Sequence, residues 1–203
     1  STSEVYGTTK FIPIDETHPL QGQSPYSATK IAADKLAESY KLSFDLPVTT
    51  VRPFNTYGPR QSQRAIIPTI ITQALYGSEI KLGNTSTTRD FNYVHDTVHG
   101  FLQAASCTGT TGETINIGTG IEISIEELVH RISELTGYTK PIIQEQNRLR
   151  PDDSEVWRLC ADNQKAKELI DWQPKYSLQE GLRETIEWIT QHSMDYNPNS
   201  YTL

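Results

Sequence analysis

Tyr26 and Lys30 stand four residues apart in the run Ser24-Pro25-Tyr26-Ser27-Ala28-Thr29-Lys30. On a helix that spacing puts both side chains on one face, where an ammonium can sit beneath a phenol. A neighbouring cation favours the phenolate, so a hydroxyl that ordinarily ionises near pKa ~10 becomes a base usable near neutrality. Such a base can take the proton from a substrate hydroxyl during hydride transfer. The spacing alone is weak, since any amphipathic helix can hold a tyrosine and a lysine at i and i+4.

Other side chains with chemical potential are fewer. His95 and His99 lie one helical turn apart without an acidic or sulfur companion, which reads as structural or solvated rather than metal-binding. Cys107 and Cys160 show neither a CxxC nor a Cys/His metal spacing, so both are expected to be reduced thiols, a cytosolic habit.

The elements that would position Tyr26 and Lys30 can be read from local signals. Ser24 followed by Pro25 is an N-cap and first helical residue, opening a helix through Ala28, Ala32, Leu36 and Tyr40 that should stop before Pro47. Val48 to Arg52 reads as a strand, and Ile66 to Tyr76 as a helix with Pro68 in its first turn. Short strands are expected at 80–82, 91–94 and 114–117, with a helix over 96–105. Ser124 with Glu127 and Ser177 with Glu180 fit the capping box at two further helix starts. Leu182, Ile186 and Ile189 line one stripe of the last helix, and 194–203 reads as a loose tail. Alternating helices and strands predict an α/β protein: a sheet core over 1–121, interleaved with lobe segments, and a mainly lobe-forming stretch over 122–193.

Composition narrows the class of protein. The 203 residues carry 18 basic and 25 acidic side chains, a formal charge of −7, and 35% are hydrophobic. That describes a globular chain with a sizeable core and argues against a broad nucleic-acid surface. The richest apolar run, Ala65 to Ile71, is too short to cross a bilayer, so no membrane partner is expected.

Several ordered motifs accompany the tyrosine and lysine: Thr2-Ser3-Glu4-Val5-Tyr6-Gly7, Arg52-Pro53-Phe54-Asn55-Thr56-Tyr57-Gly58-Pro59 and Arg89-Asp90-Phe91-Asn92-Tyr93-Val94. Asn116-Ile117-Gly118, Arg150-Pro151-Asp152-Asp153 and Asp171-Trp172 follow. Together they make the chain resemble, over essentially its whole length, the extended short-chain dehydrogenase/reductase family, specifically its nucleotide-sugar epimerases and dehydratases. Within that family it is most similar to NAD-dependent 4,6-dehydratases of N-acetylglucosamine nucleotides that begin legionaminic-acid synthesis. The implied setting is cytoplasmic synthesis of lipopolysaccharide or another surface polysaccharide.

The resemblance implies a role for each matching position. Thr2 is the hydroxyl that meets the sugar's C4 oxygen, Tyr26 the base, and Lys30 the cation that also grips the nicotinamide ribose of NAD. Ser3 and Glu4 fall where dehydratases carry their elimination residues; with serine in place of the aspartate found in some of them, Glu4 is the implied principal base. Phe54 matches a backbone contact to nicotinamide, while Asn55, Arg89, Asn116, Arg150 and Trp157 match positions on the nucleotide sugar, the arginines at its diphosphate. Plainer roles stay open. Glu4 could be a surface carboxylate at a strand end, Ser3 a structural hydroxyl, and Asn55 or Asn116 a residue tying down a turn. Arg89 could pair with Asp90 or Asp96, and Arg150 with Asp152 or Asp153.

A dinucleotide fold also needs a glycine-rich first turn against the pyrophosphate. Gly118-Thr119-Gly120 begins such a pattern, but Ile123 fills the third glycine position, and the family assigns that segment to sugar binding. The resemblance therefore implies a Rossmann-like enzyme whose first, glycine-rich half lies outside this sequence, the isolated piece being inactive. Rival readings are a UDP-glucuronate decarboxylase, disfavoured by Gln23 where those enzymes place arginine, and a nucleotide-sugar 4-epimerase, which usually lacks a glutamate at position 4. A non-catalytic sugar-nucleotide-binding or dimerisation module is a third. Small residues Ala28, Ala32 and Ala33 would permit the close helix pairing by which relatives form homodimers.

Overall fold

A computed structural model describes residues 1–149 and 151–198, without the Asp152 side chain. Along the chain run α1 (Pro25–Phe44), β1 (Thr50–Pro53), β2 (Asn55–Tyr57), α2 (Ile66–Tyr76), β3 (Ile80–Leu82), β4 (Thr88–Tyr93) and α3 (Val94–Ser106). They are followed by β5 (Thr114–Ile117), β6 (Glu122–Ser124), α4 (Ile125–Thr136), β7 (Ile142–Gln144), β8 (Arg158–Leu159), α5 (Gln164–Ile170) and α6 (Leu178–Gln191).

The chain divides into two compact units, each assembled from three segments. The first comprises 1–56, 88–122 and 151–175. Its β1 and β5 pair in parallel, Thr50 opposite Thr114 through Pro53 opposite Ile117. Its β4 pairs in parallel with β8, which is why residues 151–175 return to this unit. One core cluster gathers Val51, Ala104, Ile115, Ile117, Ala166, Ile170 and Trp172. Another joins Val5, Tyr6, Ile14, Phe54, Val156, Leu159 and Ala161. The buried Trp172 indole donates to the Asp96 carbonyl at 2.9 Å, so its one polar atom is satisfied.

The second unit comprises 57–87, 123–150 and 176–203. Helices α2, α4 and α6 pack on one another, and β3 pairs in parallel with β7. Ser177 and Glu180 form the full capping box of α6. At α4 only half of the expected box exists: Ser124 accepts from the Glu127 amide, but the Glu127 carboxylate turns to Arg131 one turn on, at 2.9 Å.

Two elements differ from their sequence-based bounds for reasons of pairing. The first strand begins at Thr50 instead of Val48, because the ladder with β5 starts there and the Val48 carbonyl accepts from the Gly112 amide. β4 begins at Thr88, since Thr88 and Arg89 lie opposite β8, and Val94 already opens α3. The Ala28, Ala32, Leu36 and Tyr40 stripe of α1 faces outward. Leu36 and Tyr40 are exposed, while the buried positions of that helix are Ser27 and Asp34.

Candidate active site

The first turn of the chain is built by a threonine cap. Thr2 Oγ1 accepts from the Glu4 amide at 3.3 Å and starts a 3-10 turn over Ser3–Tyr6. Ser3 is buried, Thr2 and Glu4 are half-buried, and Val5 and Tyr6 anchor the turn in the core. Among the described residues the Glu4 carboxylate has no hydrogen-bond or ion-pair partner.

Helix α1 packs against this turn. The segment that leads into it is sewn to the turn's end: the Gln21 amide donates to the Val5 carbonyl at 2.8 Å, and the Gln21 side chain donates to the carbonyls of Tyr6 and Thr8. Ser24 caps the helix by accepting from the Ser27 amide, and Ser27 Oγ accepts from the Ser24 amide in return. Tyr26 thereby falls in the first turn, 53% exposed, where the helix dipole favours negative charge. The Lys30 ammonium lies 5.7 Å from the centroid of its ring. Gln23, the position that decarboxylases give to arginine, bonds Thr8 and donates to the Asp153 carbonyl.

The remaining predicted residues occupy unlike environments. Phe54 is core, 1% exposed, its amide donating to the Ile117 carbonyl at 2.8 Å. Asn55 follows at the surface of that core with a buried, unpartnered Oδ1. Arg89 donates to the Thr88 carbonyl at 2.9 Å and pairs with the buried Glu155 at 3.7 Å. Asp90 and Asp96, the partners weighed from sequence, are engaged elsewhere. Trp157 is 46% exposed, its carbonyl accepting from the Thr88 amide. Asn116 is fully buried, with Oδ1 accepting from Tyr6 and Nδ2 donating to the Ile14 carbonyl, so its amide is committed within the protein. Arg150 lies outside the described residues.

The Gly118-Thr119-Gly120 turn resembles a phosphate cradle but encloses a side chain. Asp90 accepts from the amides of Thr119, Gly120 and Ala161 and from the Thr119 hydroxyl, at 2.6 to 3.1 Å. Burial pushes the Asp90 carboxyl up, opposed by those four donors. The turn needs glycine because a Cβ at 118 would stand 2.6 Å from Ala161 Cβ and 2.9 Å from Asp90 Oδ2.

Sequence reading passed over the residues that connect these parts. Arg52, Asp34 and Tyr6 form a buried polar group between β1, α1 and the first turn. A signal existed: Asp34 repeats the Tyr26–Lys30 spacing once more.

An α/β Rossmann-like arrangement of parallel strand pairs and flanking helices, with a tyrosine and lysine at the start of one helix, defines a dehydrogenase-like class. A profile described as GDP-mannose 4,6 dehydratase matches residues 1–185. The UDP-glucose 4-epimerase of Mycolicibacterium smegmatis is 36% identical over 197 residues, covering 95% of this chain and 61% of that protein. The crystal structure of dTDP-glucose 4,6-dehydratase from Bacillus anthracis in complex with NAD superposes with a TM-score of 0.87 at 34% identity, covering 96% of this chain and 61% of that one. UDP-glucuronic acid 4-epimerase from Bacillus cereus, solved with UDP-glucuronic acid and NAD, gives 0.87 at 30% identity, covering 95% and 60%. The chain belongs to the GDP-mannose 4,6 dehydratase family of extended short-chain dehydrogenase/reductase-like nucleotide-sugar epimerases and dehydratases. It spans about three fifths of the length of the relatives it matches.

Proposed function

We propose that this protein is an NAD-dependent nucleotide-sugar 4,6-dehydratase. The observation that carries the reading is the half-buried Glu4 carboxylate, unpaired among the described residues, on a turn packed against the helix that presents Tyr26 and Lys30. Simple epimerisation at C4 needs one proton-transferring phenol and no second base; elimination across C5 and C6 needs a carboxylate beside it.

The residues present fit the nicotinamide end of NAD. Tyr26 and Lys30 are open to a ligand, and next to Phe54 the sugar-assigned Asn55 has a buried Oδ1 acceptor without a donor. The Phe54 carbonyl accepts from Thr56 and keeps a second lone pair. NAD, when bound, supplies the acceptor that takes the C4 hydride and returns it at C6. Lys30 holds the Tyr26 oxygen ready to accept the C4 hydroxyl proton, and Thr2 orients that hydroxyl. The ketone acidifies C5, whose proton passes to Glu4 and on to the departing C6 hydroxyl, which leaves as water; a solvent proton takes its place at C5, and Ser3 stands where some relatives place an acid. Arg89 and Arg150 are assigned to the diphosphate and Trp157 to the nucleotide, while the Asn116 amide is taken up by Tyr6 and Ile14.

The same reading assigns a homodimer, supported by exposed Leu36 and Tyr40 on α1 and Val98, Phe101 and Leu102 on α3. Incubating the native full-length protein and NAD with UDP-N-acetylglucosamine, its GDP counterpart, dTDP-glucose and GDP-mannose tests the reaction. A product lighter by one water supports the dehydratase. A product isomeric with its substrate selects a 4-epimerase, and loss of carbon dioxide in a separate incubation with UDP-glucuronate selects a decarboxylase.

A further inference from the structure

Helix α1 and the first turn carry different halves of the proposed chemistry, and a single buried cation joins them. Arg52, on β1 and 6% exposed, donates through Nε and Nη2 to Asp34 Oδ2 at 3.3 and 3.1 Å. Its Nη1 donates to the Tyr6 hydroxyl at 3.1 Å, and its guanidinium carbon lies 5.0 Å from the Tyr6 ring centroid. Tyr6 passes the chain on, donating to Asn116 Oδ1 at 2.7 Å, while Ser1 Oγ donates to the shared Asp34 oxygen at 2.8 Å.

The arrangement is directional. Asp34 lies one helical turn beyond Lys30 and two beyond Tyr26, so all three share a face of α1. Tyr6 ends the 3-10 turn that contains Glu4 and is capped by Thr2. A guanidinium is a rigid planar fork, and one whose donors are divided between two elements fixes the distance and the angle between them. Lysine's ammonium has three donors but no planar fork, so it would not hold two partners at a fixed distance and angle. In this buried setting little water can replace a lost bond, so sliding α1 along its axis would break charge-assisted hydrogen bonds without compensation.

We propose that Arg52 is a positioning residue: by gripping Asp34 on α1 and Tyr6 on the first turn, it sets Tyr26 and Lys30 in register with Thr2 and Glu4. The inference rests on the catalytic reading above and extends it to residues that touch neither substrate nor cofactor. Misplacing reacting groups by about an ångström can cost on the order of 10²-fold in rate.

Tyr6→Phe and Asp34→Asn each weaken one arm of the fork while keeping side-chain shape, and the double variant weakens both. In the native full-length protein with NAD and whichever of the four nucleotide sugars is turned over, first-turnover NADH formation per folded site is expected to fall about ten- to a hundredfold in each single variant. KM should change little, and the double variant should be no slower than the worse single one, because both interrupt the same lock. Independent, multiplicative losses, or an unchanged rate per folded site with only the melting temperature lowered, would overturn the proposal. Arg52→Lys should not rescue. Should the wild type turn over none of the sugars, the catalytic reading falls by itself. Amide exchange across Tyr26–Lys30 still judges the lock: faster exchange in Tyr6→Phe supports it, and unchanged exchange refutes it.

Discussion

The Lys30 ammonium stands 5.7 Å from the centre of the Tyr26 ring, one helical turn away and beside the open end of α1. Tyr26→Phe deletes the oxygen that would receive the substrate proton while leaving the ring in place. Turnover in the native protein is expected to fall by about 10²- to 10⁴-fold, the usual worth of a positioned acid-base group, with nucleotide-sugar affinity nearly unchanged. Steady-state kinetics beside calorimetric binding will check it; equal losses of binding and rate would mean that Tyr26 is a contact and not a base.

Glu4→Gln separates oxidation from elimination. Hydride should still exchange at C4, read by deuterium washing between C4-labelled sugar and NADH, while the 4-keto-6-deoxy product disappears. Elimination at an undiminished rate would remove Glu4 from the mechanism.

Asp90 makes a pH-dependent contribution to stability. Burial raises its folded pKa above the unfolded value, so the folded state holds its proton more tightly. Stabilisation from this group is present in full below the unfolded carboxyl pKa and is lost as pH rises through the folded one. As pH rises from the unfolded carboxyl pKa through the folded one, wild-type protein should lose stability relative to Asp90→Asn, whatever the constant offset between them. Parallel curves in denaturant titrations at several pH values would contradict this. At the same site Gly118→Ala should cost about 1–3 kcal/mol, the usual penalty of overpacking against Ala161 and Asp90.

Burial also pushes the Cys160 thiol up to about 12, whereas Cys107 is half-buried and donates weakly to the Leu169 carbonyl. At pH 8 the thiolate fraction of Cys160 is on the order of 10⁻⁴. An alkylating reagent should therefore label Cys107 in the native protein and Cys160 only after unfolding, as peptide mass mapping would show. Rapid native labelling of Cys160 would place it outside the core.

Charge on the outer stripe of α1 tests the proposed dimer. Leu36→Glu with Tyr40→Glu should leave the fold intact, both side chains being exposed, and halve the mass measured by light scattering. A wild type that is already monomeric would dispose of the assignment.

Local chemistry in the sequence determined much of this protein. Ser24-Pro25 sets where α1 begins and hence which turn holds Tyr26; Thr2 caps the Glu4 turn; Ser177 and Glu180 close α6 on themselves. Each is a contact over a few residues, so its partners are adjacent in the text of the chain. Tertiary structure alone decided the rest. Asn116 is named by its motif but turned inward by Tyr6, 110 residues away, and Arg89 meets Glu155 instead of the nearer Asp90, which the 118–120 turn has claimed. Only the folded chain shows that α1 leaves Leu36 and Tyr40 outside and buries Asp34, where Arg52, arriving from β1, meets it. Pairings of that kind depend on which strands meet, and a single sequence does not contain that information in any local pattern.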